Sequence, residues 1–450
     1  MQITMRIPKI ADLPGVSTPG RADWFDAARF GLFVHWGLYT LPARQGGDNG
    51  LTEWVRYNER LTDDAYRRYF ERFDPDLFDP RAWARAARAA GMRYAVLTAK
   101  HHDGFCLFDS ALTDFKSTNT PAGRDLVQEF LDAFRAEGLR VGLYYSLLDW
   151  HHPDFTLDGL HPQRDDLAAR ARNVERDFGR YVEYLHGQVR ELLTRYGTID
   201  VLWFDFSYAE RDYGWSRGKG REDWHSETLL RLIRELQPDV LVNNRLDLPD
   251  FDFTTPEQVQ PLVWPEHGGK RVRWEACHTL NGTWGYARDN AEWKSADLLV
   301  RLLIDTVSKG GNLLLNVGPD GRGAWPAEAT ERLGAVGVWA RRHERSFRGC
   351  TASPFVAPAD TRLTQNGHRV YVHLFAWPMG HVHLPDLGGK VDYAQFLHDA
   401  SEVRFHETFG TSEHNAMETR VPPGTLTLEL PSRRPDVLVP VIELFLKEDQ

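Results

Sequence analysis

Short apolar runs rich in β-branched and aromatic residues alternate with amphipathic helical stretches along most of this chain, and that alternation leaves few folds open. A strand, a helix and a further strand build a parallel sheet whose faces the helices must cover. FGLFVHWG, from Phe30 to Gly37, has the composition of a buried strand. PRAWARAARAAG reads as a helix stopped by glycine, RYAVLTA as a strand ending at His101, and DLVQEFLDAFRAEG as a second helix with a glycine stop. RVGLYYSLLDW, IDVLWFDF, DVLVNNR and NLLLNVGP are further strands. A long polar helix from Leu167 to Tyr196, ETLLRLIRELQP and SADLLVRLLIDTVSKGG lie between them, and a last helix is expected from Pro326 to Arg342. The stretch from Leu246 to Arg288 carries Pro, Gly and aromatics without a helical period, and must hold the remaining strands. No glycine-rich phosphate loop follows the first strand, so a closed (β/α)8 TIM-like barrel is expected over an open dinucleotide-binding sheet.

Beyond Gly349 the helical period stops, and HRVYVHLFAWP, VRFHETF and TLTLELP alternate apolar and polar residues between turns. That pattern predicts a C-terminal antiparallel β-sandwich, which divides the chain into a catalytic barrel over 1–349 and a β domain over 350–450. A net charge of -10 without a long basic run excludes a nucleic-acid partner, because counterion release needs clustered Lys and Arg. No run of about eighteen apolar residues is available to span a membrane, and MQITMRIPKIADLPGV lacks the apolar centre of a signal peptide. Cys106, Cys277 and Cys350 are too few and too scattered for a disulfide framework or a thiolate zinc site, so a reducing, cytoplasmic location is expected. Fifteen Trp supply flat rings of the kind that suit the apolar faces of a neutral sugar.

In a β/α barrel, catalytic groups stand where strands pass into loops. His35 and Trp36 end the first strand here, His101 and His102 the second, Asp205 the fourth and Arg245 the fifth; Tyr144 and Tyr145 lie in the third, and Glu53 and Trp54 on the first loop. Each alone has an ordinary structural explanation, but strand ends in a closed barrel converge on one mouth. The His101–His102 pair has the residue type of a metal site, yet metal-dependent barrel hydrolases need two His on the first strand, which offers only His35. No metal is therefore expected. His381 and His383 share one face of a strand in the β domain and read as surface. Asp205 is the sharpest single residue, because VLWFDF buries a carboxylate in an apolar strand, where a partner or a task must keep it ionised. Glycoside hydrolysis with retention needs a second carboxyl about 5 Å across the scissile bond. Glu257 in DFTTPE or Glu275 in RWEACHT could supply it.

WFDAARFGLFVHWG, EW, AKHHDGFCLFDS, GRDLV, GLYYSLLDWHHPDF, LWFDF, TPE, WE, WGY and KGGNLLLNVGPDGRG follow one another over essentially the whole expected barrel. In these motifs the sequence resembles the retaining α-L-fucosidases, glycoside hydrolase family 29. The resemblance implies that Asp205 is the nucleophile and that His35, Glu53, Trp54, His101, His102, Tyr144, Trp203 and Arg245 line the fucose pocket. It implies Glu257 as first choice for the acid/base and Glu275 as second. It further implies release of terminal α-linked L-fucose from oligosaccharides or glycoconjugates by double displacement, without a cofactor. The other readings to test against are a galactosidase-like exo-glycosidase, a sugar-binding barrel without catalysis and a metal-dependent, amidohydrolase-like barrel.

Overall fold

The computed structural model describes residues 20–47, 49–407 and 421–447. The N-terminal stretch read for a signal peptide and the end of VRFHETF lie outside these residues. Seven strands form one parallel sheet: β1 (Phe30–Val34), β2 (Tyr94–Lys100), β3 (Arg140–Ser146), β4 (Val201–Asp205), β5 (Leu241–Val242), β6 (Glu275–Thr279) and β7 (Asn312–Val317). Their order is β5-β4-β3-β2-β1-β7-β6. The gap between β5 and β6 is filled by residues 253–257, which make single parallel bridges on both sides: Phe253 to Asn243, Thr254 to Trp274 and Glu257 to Cys277. The ring thus closes with eight positions, of which the sixth is an irregular strand. Pro256 lies in it, and a residue without an N–H cannot continue a ladder.

Alternation along the strands sends Phe33, Tyr94, Val96, Tyr144, Val201, Trp203, Leu241, Phe253, Cys277 and Leu314 into the barrel, where they form one core cluster. The short helix Asp23–Ala28 plugs the N-terminal end, with the Phe25 ring 5.5 Å from Tyr94 and 5.0 Å from Phe253. Gly31 in β1 makes room for this filling, because a Cβ there would come 2.4 Å from the Tyr94 ring.

Outside the strands run α1 (Pro80–Ala89), α2 (Leu126–Ala136), α3 (Phe178–Arg195), α4 (Ser226–Leu236), α5 (Ala296–Val307) and α6 (Ala327–His343). Asp79, Asp125, Asp177 and Ser295 cap four of them by accepting backbone N–H groups of the first turn. The expected helix from Leu167 to Tyr196 is three pieces: an α-helix over Leu167–Ala171, a 3-10 turn over Arg172–Glu175, and α3. Its break has a cause in the loop after β3. Asp177 leaves the helix to cap Gly179 and donates its own N–H to Asp154, while Asn173 accepts from the Leu157 N–H and Arg176 donates to the Phe155 carbonyl.

From Thr351 onward, all pairing among the described residues is antiparallel. A five-stranded sheet and a three-stranded sheet enclose a separate core that includes Leu363, Val372, Val382, Leu384, Leu428 and Leu444. The larger sheet also packs on the barrel through Tyr371, Leu397 and Val441, and the Trp339 indole of α6 donates to the Val439 carbonyl at 2.8 Å. All three cysteines are unpaired and buried. Among the described residues no helix is long and apolar enough to cross a membrane.

Candidate active site

A cavity of about 470 Å³ opens at the C-terminal ends of the strands. Its wall includes Asp205, Glu257, His35, Glu53, Trp54, His101, His102, Tyr144, Trp203 and Arg245. Each arrives by a simple device. His35 and Trp203 face inward by alternation, two residues after Phe33 and Val201. His101 and His102 are consecutive, so alternation alone would send one of them outward. The β2–β3 register shifts between Thr98 and Lys100, and the strand ends there, which frees both imidazoles to line the cavity with their rings 4.0 Å apart. Tyr144 points inward and its neighbour Tyr145 outward, where its hydroxyl donates to Gln188.

Asp205 ends β4. Tyr144 donates its hydroxyl to one carboxylate oxygen at 2.7 Å, and Arg245 donates Nη1 to the other at 2.7 Å. The same guanidinium donates Nη2 to Glu257 at 2.8 Å and Nε to Thr255 at 2.9 Å, and lies over the Trp203 ring. One cation thus spans two carboxylates. Burial pushes the Asp205 carboxyl up, and the Glu257 charge adds to that; Arg245 and the Tyr144 hydroxyl pull it down, and the result is a raised value of about 6. The Asp205 side chain is 11% exposed and that of Glu257 40%. The inner carboxylate is therefore shielded, and the outer one meets solvent at the mouth. Phe206, directly after Asp205, has φ 80 and packs its ring against Trp54 and His102. A bulky residue in the left-handed region carries backbone strain of about 1–3 kcal/mol, which the surrounding contacts must hold.

The histidines are neutral acceptors. Ser146 donates its hydroxyl to the Leu148 carbonyl, so its oxygen accepts from His102 Nδ1 at 2.7 Å. Nε2 is left without a proton, 3.9 Å from Asp205. Asn316 likewise donates its amide to the Trp284 carbonyl and accepts from His35 Nδ1 at 2.7 Å. Burial depresses His35 to about 3 and holds His101 and His102 well below the usual imidazole range. Imidazoles in this state accept hydrogen bonds from hydroxyl groups; among the described residues, no group of three or more His, Cys, Asp or Glu is arranged to hold a metal ion.

Glu53 sits on a 3-10 turn over Thr52–Trp54, buried, and accepts from the Gly285 N–H at 3.0 Å. Burial raises it to about 7 against the pull of that hydrogen bond. Glu275 lies elsewhere. It opens β6, at the N-terminal end of that strand, and its oxygens accept from the Tyr94 hydroxyl and, at 3.1 Å, from the Trp203 indole beneath the cavity. It is not part of the cavity wall, which takes Cys277, two residues further on, from the same strand. Sequence reasoning did not select Phe33, Phe206, Cys277, Trp284, Tyr57 or Leu160, all of which line the cavity. Strand alternation could have found Phe33 and Cys277. Tyr57 and Leu160 come from loops and carry no such signal.

An α-L-fucosidase family model matches residues 16–345. Among solved structures, the α-L-fucosidase isoenzyme 1 of Paenibacillus thiaminolyticus is 46% identical, with a TM-score of 0.87 over 95% of this chain and 99% of that one. A GH29 α-L-fucosidase from Bacteroides thetaiotaomicron, solved as a covalent intermediate trapped with 2-fluoro-fucosyl fluoride, is 25% identical with a TM-score of 0.82 over 97% and 98% of the two chains. The tissue α-L-fucosidase of Rattus norvegicus is 31% identical over 73% of this chain and 70% of its own length. The chain belongs to the α-L-fucosidase family of retaining glycoside hydrolases, glycoside hydrolase family 29.

Proposed function

We propose that this α-L-fucosidase releases terminal α-linked L-fucose by double displacement, with Asp205 as nucleophile and Glu257 as acid/base. The observation that carries this assignment is Arg245, whose guanidinium binds both carboxylates at once, one shielded and one at the mouth. Ionised Asp205 attacks the anomeric carbon as the bond from that carbon to the leaving oxygen breaks, and Glu257 passes its proton to that oxygen. Glu257 then takes a proton from water, whose oxygen displaces Asp205 and restores the α configuration. Arg245 offsets the negative charge that returns to Asp205 in the second step. The two neutral imidazole acceptors of His35 and His102 suit sugar hydroxyls, and Phe33, Phe206 and Trp284 provide apolar wall for the C5 methyl group. That wall favours fucose over galactose, which presents a hydroxyl on the same carbon. The trapped intermediate in the Bacteroides relative supports the covalent step. Glu275 is set aside as acid/base because Tyr94 and Trp203 hold it beneath the cavity. The enzyme acts in the cytoplasm, a placement supported by three unpaired, buried thiols.

Product stereochemistry tests the two roles. Asp205→Gly should abolish turnover of oligosaccharides, and azide with an activated aryl α-L-fucoside should give the inverted β-fucosyl azide. Glu257→Ala should slow oligosaccharides by about 10²–10⁴-fold and aryl fucosides much less, since a good leaving group needs no proton. Azide should then yield the retained α-fucosyl azide. Retained azide from Glu275→Ala and none from Glu257→Ala would reverse the acid/base assignment.

A further inference from the structure

Behind the cavity wall lies a full ion pair that neither solvent nor a ligand in the cavity reaches. Lys100 ends β2 with a side chain 0% exposed, and donates Nζ to Asp149, 1% exposed, at 2.9 Å. The ammonium lies 4.4 Å from the Tyr145 ring centre, 5.7 Å from Tyr181 and 5.5 Å from Tyr184, between the sheet and α3. Stability is a poor reason for such a pair, because well-packed apolar residues in its place are often as stable or more so. Its geometry suggests another. The turn that carries His101 and His102 begins at Lys100 and ends at Gly104, and both ends rest on the one carboxylate of Asp149. Lys100 does so by the ion pair. Gly104 does so by a bare Cα with φ +82, where a Cβ would come 2.3 Å from Asp149 Oδ1. That oxygen also accepts the N–H groups of His151 at 3.0 Å and His152 at 2.9 Å, so the carboxylate is held from the β3 side as well. Between the two ends, the Trp150 N–H donates to the His102 carbonyl at 2.9 Å.

We infer that Lys100 and Asp149 are positioning residues for fucose recognition: the pair fixes the irregular end of β2 so that two consecutive imidazoles, His101 and His102, both face the sugar. The inference rests on the α-L-fucosidase activity of the cavity and is independent of which carboxylates perform the chemistry. A clamp of this kind acts on precision, and a displacement of about 1 Å at a binding group costs on the order of 10²-fold in rate.

The test is the double variant Lys100→Met/Asp149→Asn, which removes both charges, leaves no buried ion unpaired and keeps an acceptor for the His151 and His152 N–H groups. It should fold with wild-type circular dichroism, lose on the order of 10²-fold in kcat/KM for an aryl α-L-fucoside, and show a smaller rise in melting temperature with free L-fucose. Lys100→Gln/Asp149→Asn, which replaces the ion pair by a neutral amide pair, should lose roughly 10-fold, a readout that stands if the first double variant does not fold. A folded variant with lowered melting temperature but wild-type kcat/KM and a wild-type fucose shift would make the pair purely structural and overturn the inference. A wild-type protein that neither hydrolyses the aryl fucoside nor gains melting temperature with fucose would instead remove the activity on which it rests.

Discussion

Asp205 works under two opposed influences, and Tyr144 is the one that can be removed with least disturbance. With Asp205 in its proposed role as nucleophile, the reaction uses the carboxylate, so kcat/KM should fall as pH drops through about 6. The Tyr144 hydroxyl lowers the Asp205 pKa, so Tyr144→Phe should move that acid limb to higher pH. Loss of a hydrogen bond to a charged group should also reduce kcat/KM by roughly 10- to 100-fold. A limb that stays in place or moves down would show that Asp205 is not the group being titrated. Glu275 offers a contrast, because its consequence is stability. Burial raises it from 4.5 to about 7, so the folded state binds its proton more tightly than the unfolded chain, and stability from this group declines as pH rises between those values. The sum is on the order of 3 kcal/mol. Glu275→Gln, a neutral stand-in for the protonated acid, should lack that slope, so in urea unfolding wild type should lose about that much stability relative to the variant between pH 4.5 and pH 8. Most of this site could be read in the sequence because strand ends collect polar residues in a barrel. The separate places of Glu257 and Glu275 could not, since neither TTPE nor VRWE is an apolar run that marks a strand end, and only the closed ring puts one at the mouth and the other under the floor.

Elements were legible where one period persisted. β1 to β4 and β7 each read as a strand because their apolar runs are buried on both sides, and α1, α2, α4 and α5 because their apolar stripes face that sheet. The sixth barrel position was not legible, since its pairing consists of single bridges around Pro256 and its neighbours are set by ring closure. The break before α3 was equally hidden, as it depends on partners in the loop after β3. β1 carries the clearest constraint of any element. Gly31→Ala would press a methyl group into the Tyr94 ring, and overpacking of this kind costs about 1–3 kcal/mol. Thermal melting should show that loss even with saturating fucose present, because the contact lies below the cavity.

At the scale of the whole molecule, the β domain packs on part of the barrel's outer face, and among the described residues it contributes nothing to the cavity wall, none of whose residues lies beyond Trp284. Val441→Ala, at the centre of that contact, should destabilise the protein by about 2 kcal/mol while KM and kcat at 25 °C stay at wild-type values. A changed KM would mean that the two units communicate. Among the described residues, the barrel itself has one door. Phe25, Tyr94 and Phe253 fill the far end, so nothing that enters the cavity can leave by passing through. Released fucose must back out past the same rim that admits the next glycan, and the two cannot share the passage. Such an enzyme cannot travel along a polymer; it must let go after every cut, and accumulating sugar should slow it as a competitor for the entrance.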